Sequence, residues 1–143
     1  MSSTESRIAV VTGAAKRVGR AIALRLARDG WHLHLTWNRS EAAMKATADK
    51  CRQVGAASVV THQIDLGELA AVSQWAAQLQ TQIPSLHGLV HNASRYLPTS
   101  WGEVTPAEVE FHFRVNTAAP LLITQALDAS LRGAGGSVVA FAD

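Results

Sequence analysis

The chain has 143 residues, 48% hydrophobic and 17% charged, with a formal net charge of +2. That is one domain's length or part of a larger one, with enough apolar material to bury a core, which excludes an intrinsically disordered chain. No apolar run approaches the roughly 18 residues of a membrane span. The basic residues are spread along the chain, so charge alone points to no nucleic acid.

The polar start, MSSTESR, leads straight into a strand-like run and does not read as a signal peptide. A single cysteine, Cys51, excludes an intramolecular disulfide and a Cys-rich zinc site, and a reducing, cytoplasmic setting is expected.

Residues 7–12 (RIAVVT) form a short apolar run before a glycine-containing turn, the pattern of a buried parallel strand. Val18, Ile22 and Leu26 then recur at helical spacing, and Gly30 is placed to end that helix. Residues 32–37 (HLHLTW) are β-like. Ser40 is placed to cap a second helix, which carries Met44, Thr47 and Cys51 near one face and stops at Gly55. Residues 58–64 form a third strand. Val72, Ala76, Leu79 and Ile83 mark a third helix, which Pro84 stops.

Residues 86–91 form a fourth strand, and residues 94–103 have no period and read as a loop. Thr105-Pro106-Ala107-Glu108 has the form of a capping box with proline at the first helical position. The helical stretch that follows runs to about Leu131, and Pro120 inside it is expected to kink or divide it. Residues 137–141 (SVVAF) form a fifth strand. Five β-α repeats of this kind imply a parallel sheet with helices on both faces, and no second domain is visible. The fifth strand lies at the end of the chain with its outer edge uncovered, which points to the N-terminal portion of a longer protein.

Thr12-Gly13-Ala14-Ala15-Lys16-Arg17-Val18-Gly19 sits between the first strand and the first helix. A dinucleotide fold needs small residues there, because backbone must approach a pyrophosphate at a helix N-terminus. NAD-specific enzymes place an acid about 20 residues further on, against the ribose 2′-hydroxyl. Here the end of the second strand reads Trp37-Asn38-Arg39-Ser40, with no acid. A guanidinium at Arg39 suits a 2′-phosphate, Ser40 adds a hydroxyl, and Lys16 and Arg17 add positive charge. NADPH is therefore the expected cofactor. No metal site is expected: His32 and His34 have no third ligand nearby, and His87 and His91 lie about 13 Å apart along a strand. Cys51 reads as helix packing, and Trp101 either as a loop residue or as part of a substrate mouth.

These motifs resemble the short-chain dehydrogenase/reductase family along the chain. Thr12-Gly13-x-x-x-Arg17-x-Gly19 resembles that family's glycine motif, with Arg17 in place of the middle glycine. Asp65-Leu66 resembles the pair that holds the adenine ring. His91-Asn92-Ala93-Ser94 resembles the Asn-Asn-Ala-Gly turn, and Asn116 the tetrad asparagine. The resemblance implies a Rossmann-type, doubly wound parallel sheet of five strands in the order 3-2-1-4-5, ending before the later strands. Lys16-Arg17, Asn38-Arg39-Ser40 and Asn92-Ala93-Ser94 are similar to the pteridine reductases and dihydromonapterin reductases, in which an aspartate ends strand five; Asp143 matches it.

The resemblance implies hydride transfer from NADPH to a dihydropterin. Gly13, Lys16, Arg17, Val18, Gly19, Asn38, Arg39, Ser40, Asp65, Leu66, Asn92, Ala93 and Ser94 would hold the cofactor. Arg17, Ser94 and Tyr96 would meet the pterin, with Tyr96 stacking on its ring. Asp143 would serve the proton side of the reaction and Asn116 would fix the helix and a water. The family's Tyr-x-x-x-Lys pair is not in the chain: its one tyrosine, Tyr96, is followed four positions on by Ser100. This chain by itself is therefore expected to have little or no reductase activity, and the longer protein to be a homo-oligomer. Two other readings stay open, a reductase of another carbonyl substrate and a non-catalytic NADP-binding module.

Overall fold

A computed structural model describes residues 6–142. The elements run β1 (Ile8–Val11), α1 (Arg17–Arg28), β2 (His32–Trp37), α2 (Glu41–Val54), β3 (Ser58–Gln63), α3 (Leu69–Gln82), β4 (Gly88–His91) and α4 (Pro106–Phe113). A π-helical turn (Arg114–Ala118), α5 (Ala119–Ala126), α6 (Asp128–Ala134) and β5 (Ser137–Ala140) complete them. The strands form one sheet in the order β3-β2-β1-β4-β5, with every adjacent pair parallel. A parallel sheet buries both faces under crossover helices. Val10 and Leu89 face a core built from α3, α5 and α6, whereas Ala9, Val11, Leu33 and Leu35 face α1 and α2.

The first helix packs Ile22 and Leu26 of the expected face against the core but centres its buried stripe on smaller residues. Val18 is 52% exposed and the buried stripe is Gly19, Ala23 and Ala27. Both stripes have the spacing of a helix face, so periodicity does not separate them. The small residues sit underneath because α1 starts against the glycine turn, where larger side chains have no room. Ser40 is the N-cap residue of α2 but its hydroxyl makes no cap bond; only its carbonyl accepts, from the Met44 N–H. The expected capping box of α4 is present, with Thr105 Oγ1 accepting from Glu108 N and Glu108 Oε2 accepting from Thr105 N.

The long helical stretch is divided into four pieces. Pro120 has no N–H to give the Asn116 carbonyl and its ring crowds that carbonyl. The chain widens into the π-helical turn just before it, with the Ala119 N–H reaching back to the Arg114 carbonyl. No helix among the described residues is long and apolar enough to cross a membrane.

Buried histidines are expected to make the fold acid-sensitive. His91 at the end of β4 is 5% exposed, and burial pushes its pKa down to about 4. The Thr124 hydroxyl donates to the Pro120 carbonyl, so its oxygen accepts from His91 Nε2, which fixes the neutral ring with a bare Nδ1. His34, at 3.0 Å from His62, is also held at about 4, by burial first and then by repulsion from His62 and His32. The unfolded chain takes up protons near pH 6.5 that these native rings refuse until about pH 4, so stability falls as pH drops across that window. For His91 the loss amounts to about 3 kcal/mol. Urea denaturation from pH 7 to pH 4 should show it, and His91→Asn should flatten the slope; an unchanged slope would place the sensitivity elsewhere.

Candidate functional site

The carboxyl ends of β1, β2 and β4 meet around Thr12. Its Oγ1 accepts from the backbone N–H groups of Asn92 and Ala93, at 3.1 and 3.0 Å, and its own N–H donates to the Val90 carbonyl. Asn92 reaches back, its Nδ2 donating to the carbonyls of Thr12 and Gly13, both at 3.1 Å. From the other side Thr36 Oγ1 accepts from the Gly13 N–H, and the Thr36 carbonyl accepts from Ala14. The Thr47 hydroxyl on α2 donates to the Ala15 carbonyl. The turn is thus tied to two strands and a helix before any ligand arrives. Thr36 and Thr47 are additions to the residues expected from sequence, and Thr12, which opens the glycine motif, is its anchor.

Gly13 has a φ of +65°, and a Cβ there would sit 2.9 Å from Ala93 Cα. Gly19 lies buried beneath the turn, where a Cβ would overlap the Gly13 carbonyl. These two glycines shape the turn. Lys16, the N-cap residue of α1, makes no side-chain cap bond, so the helix presents its first N–H groups and positive dipole end toward the cleft. Arg17 has a φ of +52°, the left-handed region that glycine would occupy without strain. Arg17→Gly is expected to raise stability by about 1 kcal/mol while weakening dinucleotide binding through the lost cation. Denaturation and titration check the two effects separately, and a fall in stability would show that the arginine is not strained.

Three clefts open along this edge and share Ala93 and Ser94. One, of about 350 Å³, runs past Gly13, Lys16, Arg17 and Val18. A second, of about 340 Å³, lies between the β4 end, Asn116 and Phe141. The third, of about 240 Å³, is bounded by Asn38 and Arg39 after β2, Asp65 and Leu66 after β3, and Arg95 and Phe111. The Asp65 carboxylate accepts from the Gly67 N–H at 2.9 Å. The structure therefore brings the expected cofactor residues to one continuous edge, with two exceptions. Gly19 supports the turn from below, and Ser40 is not among the cleft-lining residues.

The loop after β4 is held by a polar stripe on the following helix. Asn116 Oδ1 accepts from Arg95 N and its Nδ2 donates to Arg95 O, at 2.8 and 2.9 Å. His112 Nε2 accepts from Leu97 N at 3.2 Å, and Glu108 Oε1 accepts from the Thr99 hydroxyl at 3.0 Å. Four helical residues rise about 6 Å and two extended residues about 6.6 Å, so positions 116, 112 and 108 pair in turn with 95, 97 and 99. That alternation leaves Tyr96 on the other side. It is 74% exposed and lines none of these three clefts. Trp101 is fully exposed. Asp143 lies outside the described residues.

The family model described as short chain dehydrogenase matches residues 7–142. An uncharacterized oxidoreductase of Methylorubrum extorquens is 33% identical over 139 residues, covering 97% of this chain and 55% of that protein. Among solved structures, a metagenomic short-chain oxidoreductase in complex with NADP superposes with a TM-score of 0.84 at 27% identity, over 94% of this chain and 60% of that one. A blue fluorescent protein from a metagenomic library, in complex with NADPH, superposes with a TM-score of 0.83 at 30% identity, over 94% and 54%. The chain thus spans about half the length of the proteins it matches.

Proposed function

The chain belongs to the short-chain dehydrogenase family, and from that premise we propose that it forms the NADPH-binding part of a reductase acting on a pterin-type heterocycle. The observation that carries the cofactor choice is the cleft beside Arg39. The residues it draws from the end of β2 are Thr36, Trp37, Asn38 and Arg39, none of them an acid. A carboxylate there would repel a 2′-phosphate, whereas a guanidinium attracts it.

The residues present fit a dinucleotide. An uncapped helix N-terminus, a turn in which added Cβ atoms would collide, and a cleft edged by donors and cations are what a pyrophosphate and an adenosine 2′-phosphate need. When bound, NADPH supplies the hydride, and the protein supplies orientation and protons. Gly13 and Gly19 let the backbone close on the pyrophosphate, with Lys16 and Arg17 as counter-charges. Ser94, shared by all three clefts, stands between the cofactor groove and the cleft that holds Asn116. The pterin reading rests on the Lys16-Arg17, Asn38-Arg39-Ser40 and Asn92-Ala93-Ser94 sequences. The proposal places cofactor binding in this chain and not the proton-delivering Tyr-x-x-x-Lys pair, which its sequence does not contain.

Fluorescence titration with NADPH and NADH tests this, followed by dihydrobiopterin and simple ketones. Saturable binding at least about tenfold tighter for NADPH is expected, from one charge-assisted contact. Dihydrobiopterin should then perturb the complex where ketones do not. Equal affinity for the two cofactors would remove the NADPH reading, and a response to ketones alone would remove the pterin.

A further inference from the structure

His34 on β2 and His62 on β3 form a pair on the sheet face toward α3, outside the three clefts. Sequence spacing sets His34 beside His32; the β2–β3 register brings His62 to it instead. His34 Nδ1 and His62 Nε2 face each other at 3.0 Å, and the rings lie within 14° of parallel. Both residues are half-buried, so solvent still reaches them. Burial lowers the pKa of each ring, to about 4 for His34, so both are neutral at pH 7, the form in which imidazole binds a metal.

Two imidazole nitrogens this close are spaced as neighbouring ligands of one ion. Nitrogens about 2.0–2.1 Å from a metal stand about 2.9 Å apart at a right angle and about 3.4 Å apart at the tetrahedral angle. The observed 3.0 Å lies nearer the right angle, the geometry of Cu(II) and Ni(II). A metal replaces the proton between the rings, which moves to the outer nitrogen of its own ring; His34 then carries hydrogen on Nε2 and His62 on Nδ1, and both stay neutral. Neither β2, β3 nor α3 contains a lysine or arginine to repel a dication. No third histidine, cysteine or carboxylate converges on the pair among the described residues, so water completes the coordination. A cavity of about 70 Å³ lined by His62, Trp75, Gln78 and Gln82 has room for that water. Trp75 lines it too, and its Nε1–H is buried with no partner, a donor that a metal-bound water oxygen can satisfy. We infer that His34 and His62 form a two-histidine chelate for an imidazole-preferring divalent metal, Cu(II) before Zn(II), that cross-links β2 to β3.

The 143-residue chain is titrated with Cu(II) alone while tryptophan fluorescence is read. The Trp75 ring lies 5.6 Å from the His62 ring, so Cu(II) held there quenches it. Saturable quenching is expected, absent in Trp75→Phe, with nitrogen splitting from two imidazoles in the Cu(II) EPR signal. Zn(II) should displace Cu(II) only in excess, and Mg(II), which prefers oxygen ligands, should not displace it. His34→Asn and His62→Gln should each weaken Cu(II) by at least about tenfold, because each removes a ligand and even a second-shell loss costs that much. His32→Asn, on the same face but bonded to Ser58 at 2.8 Å, should bind as the unsubstituted chain does. If His34→Asn fails to fold by circular dichroism, His62→Gln on the edge strand carries the comparison. Quenching that survives loss of either histidine, quenching lost equally in His32→Asn, or no saturable quenching in the folded unsubstituted chain would each overturn the assignment. None of these results bears on dinucleotide binding.

Discussion

Gly19→Ala is expected to destabilise the chain by about 3 kcal/mol and to abolish dinucleotide binding. The new Cβ would overlap the Gly13 carbonyl oxygen and stand 2.5 Å from Asn92 Nδ2 and 3.0 Å from Ala14 Cα. Two of these neighbours are backbone, so no flexible side-chain end can swing aside. The third is the amide that ties the turn to β4 through the carbonyls of Thr12 and Gly13. Pushing it away frees two carbonyls and loosens the turn that should meet the pyrophosphate. Gly30→Ala is the control. It lies just past the far end of the same helix, at a φ of +75°, and nothing lies within 4 Å of its added Cβ. Only the left-handed conformation is penalised there, by about 1 kcal/mol. Urea denaturation and NADPH titration of both variants check the contrast. A Gly19→Ala chain as stable as Gly30→Ala, with binding intact, would mean the turn yields where its ties say it cannot.

Most element positions are legible because their signals are local, whereas the strand order follows from the family resemblance. Apolar runs of four to six residues alternate with helical periods, and Gly30, Gly55 and Pro84 stop helices where they stand. What was not legible depends on which atoms meet. Periodicity places Ile22 and Leu26 against the core but does not show that Gly19-Ala23-Ala27, a stripe of equal period, lies deepest and Val18 outside it; contact with the glycine turn decides that. Ser40 has the right residue type for a cap, but its backbone geometry leaves the hydroxyl out of the bond.

The site shows the same division. Gly13, Arg17, Arg39, Asp65 and Asn92 could be found from motif spacing, and they converge on one sheet edge. Thr12 opens the glycine motif, but its structural part is not in the motif: one oxygen receives two N–H groups from the turn after β4, about 80 residues away. The position of Tyr96 follows from a helix rise matched to an extended loop, a commensurability that neither segment shows by itself. The signal for it is the polar stripe Glu108-His112-Asn116 at helical spacing, two of whose members the sequence marks for other reasons, Glu108 as a capping-box residue and Asn116 by resemblance.

Replacing Arg39 with aspartate should invert cofactor preference, weakening NADPH about 100-fold while leaving NADH unharmed or improved. Loss of a charge-assisted hydrogen bond to the 2′-phosphate accounts for about tenfold of this, which Arg39→Ala should show by itself. The further factor comes from placing a carboxylate against a dianion. For NADH the same carboxylate meets a 2′-hydroxyl and accepts a hydrogen bond from it, the arrangement NAD-specific dinucleotide folds use. Arg39 is exposed, so the electrostatic part is screened and the NADPH gap between Arg39→Ala and Arg39→Asp should narrow as salt is raised. Titration of both variants with both cofactors at two ionic strengths separates the contributions. Equal weakening of NADPH and NADH by Arg39→Ala would locate its effect in the fold of the cleft instead. Because Arg39 lies at the rim and the glycine turn at the helix N-terminus, a selective change here against a general one at Gly19 would assign the two ends of the edge to different parts of one cofactor.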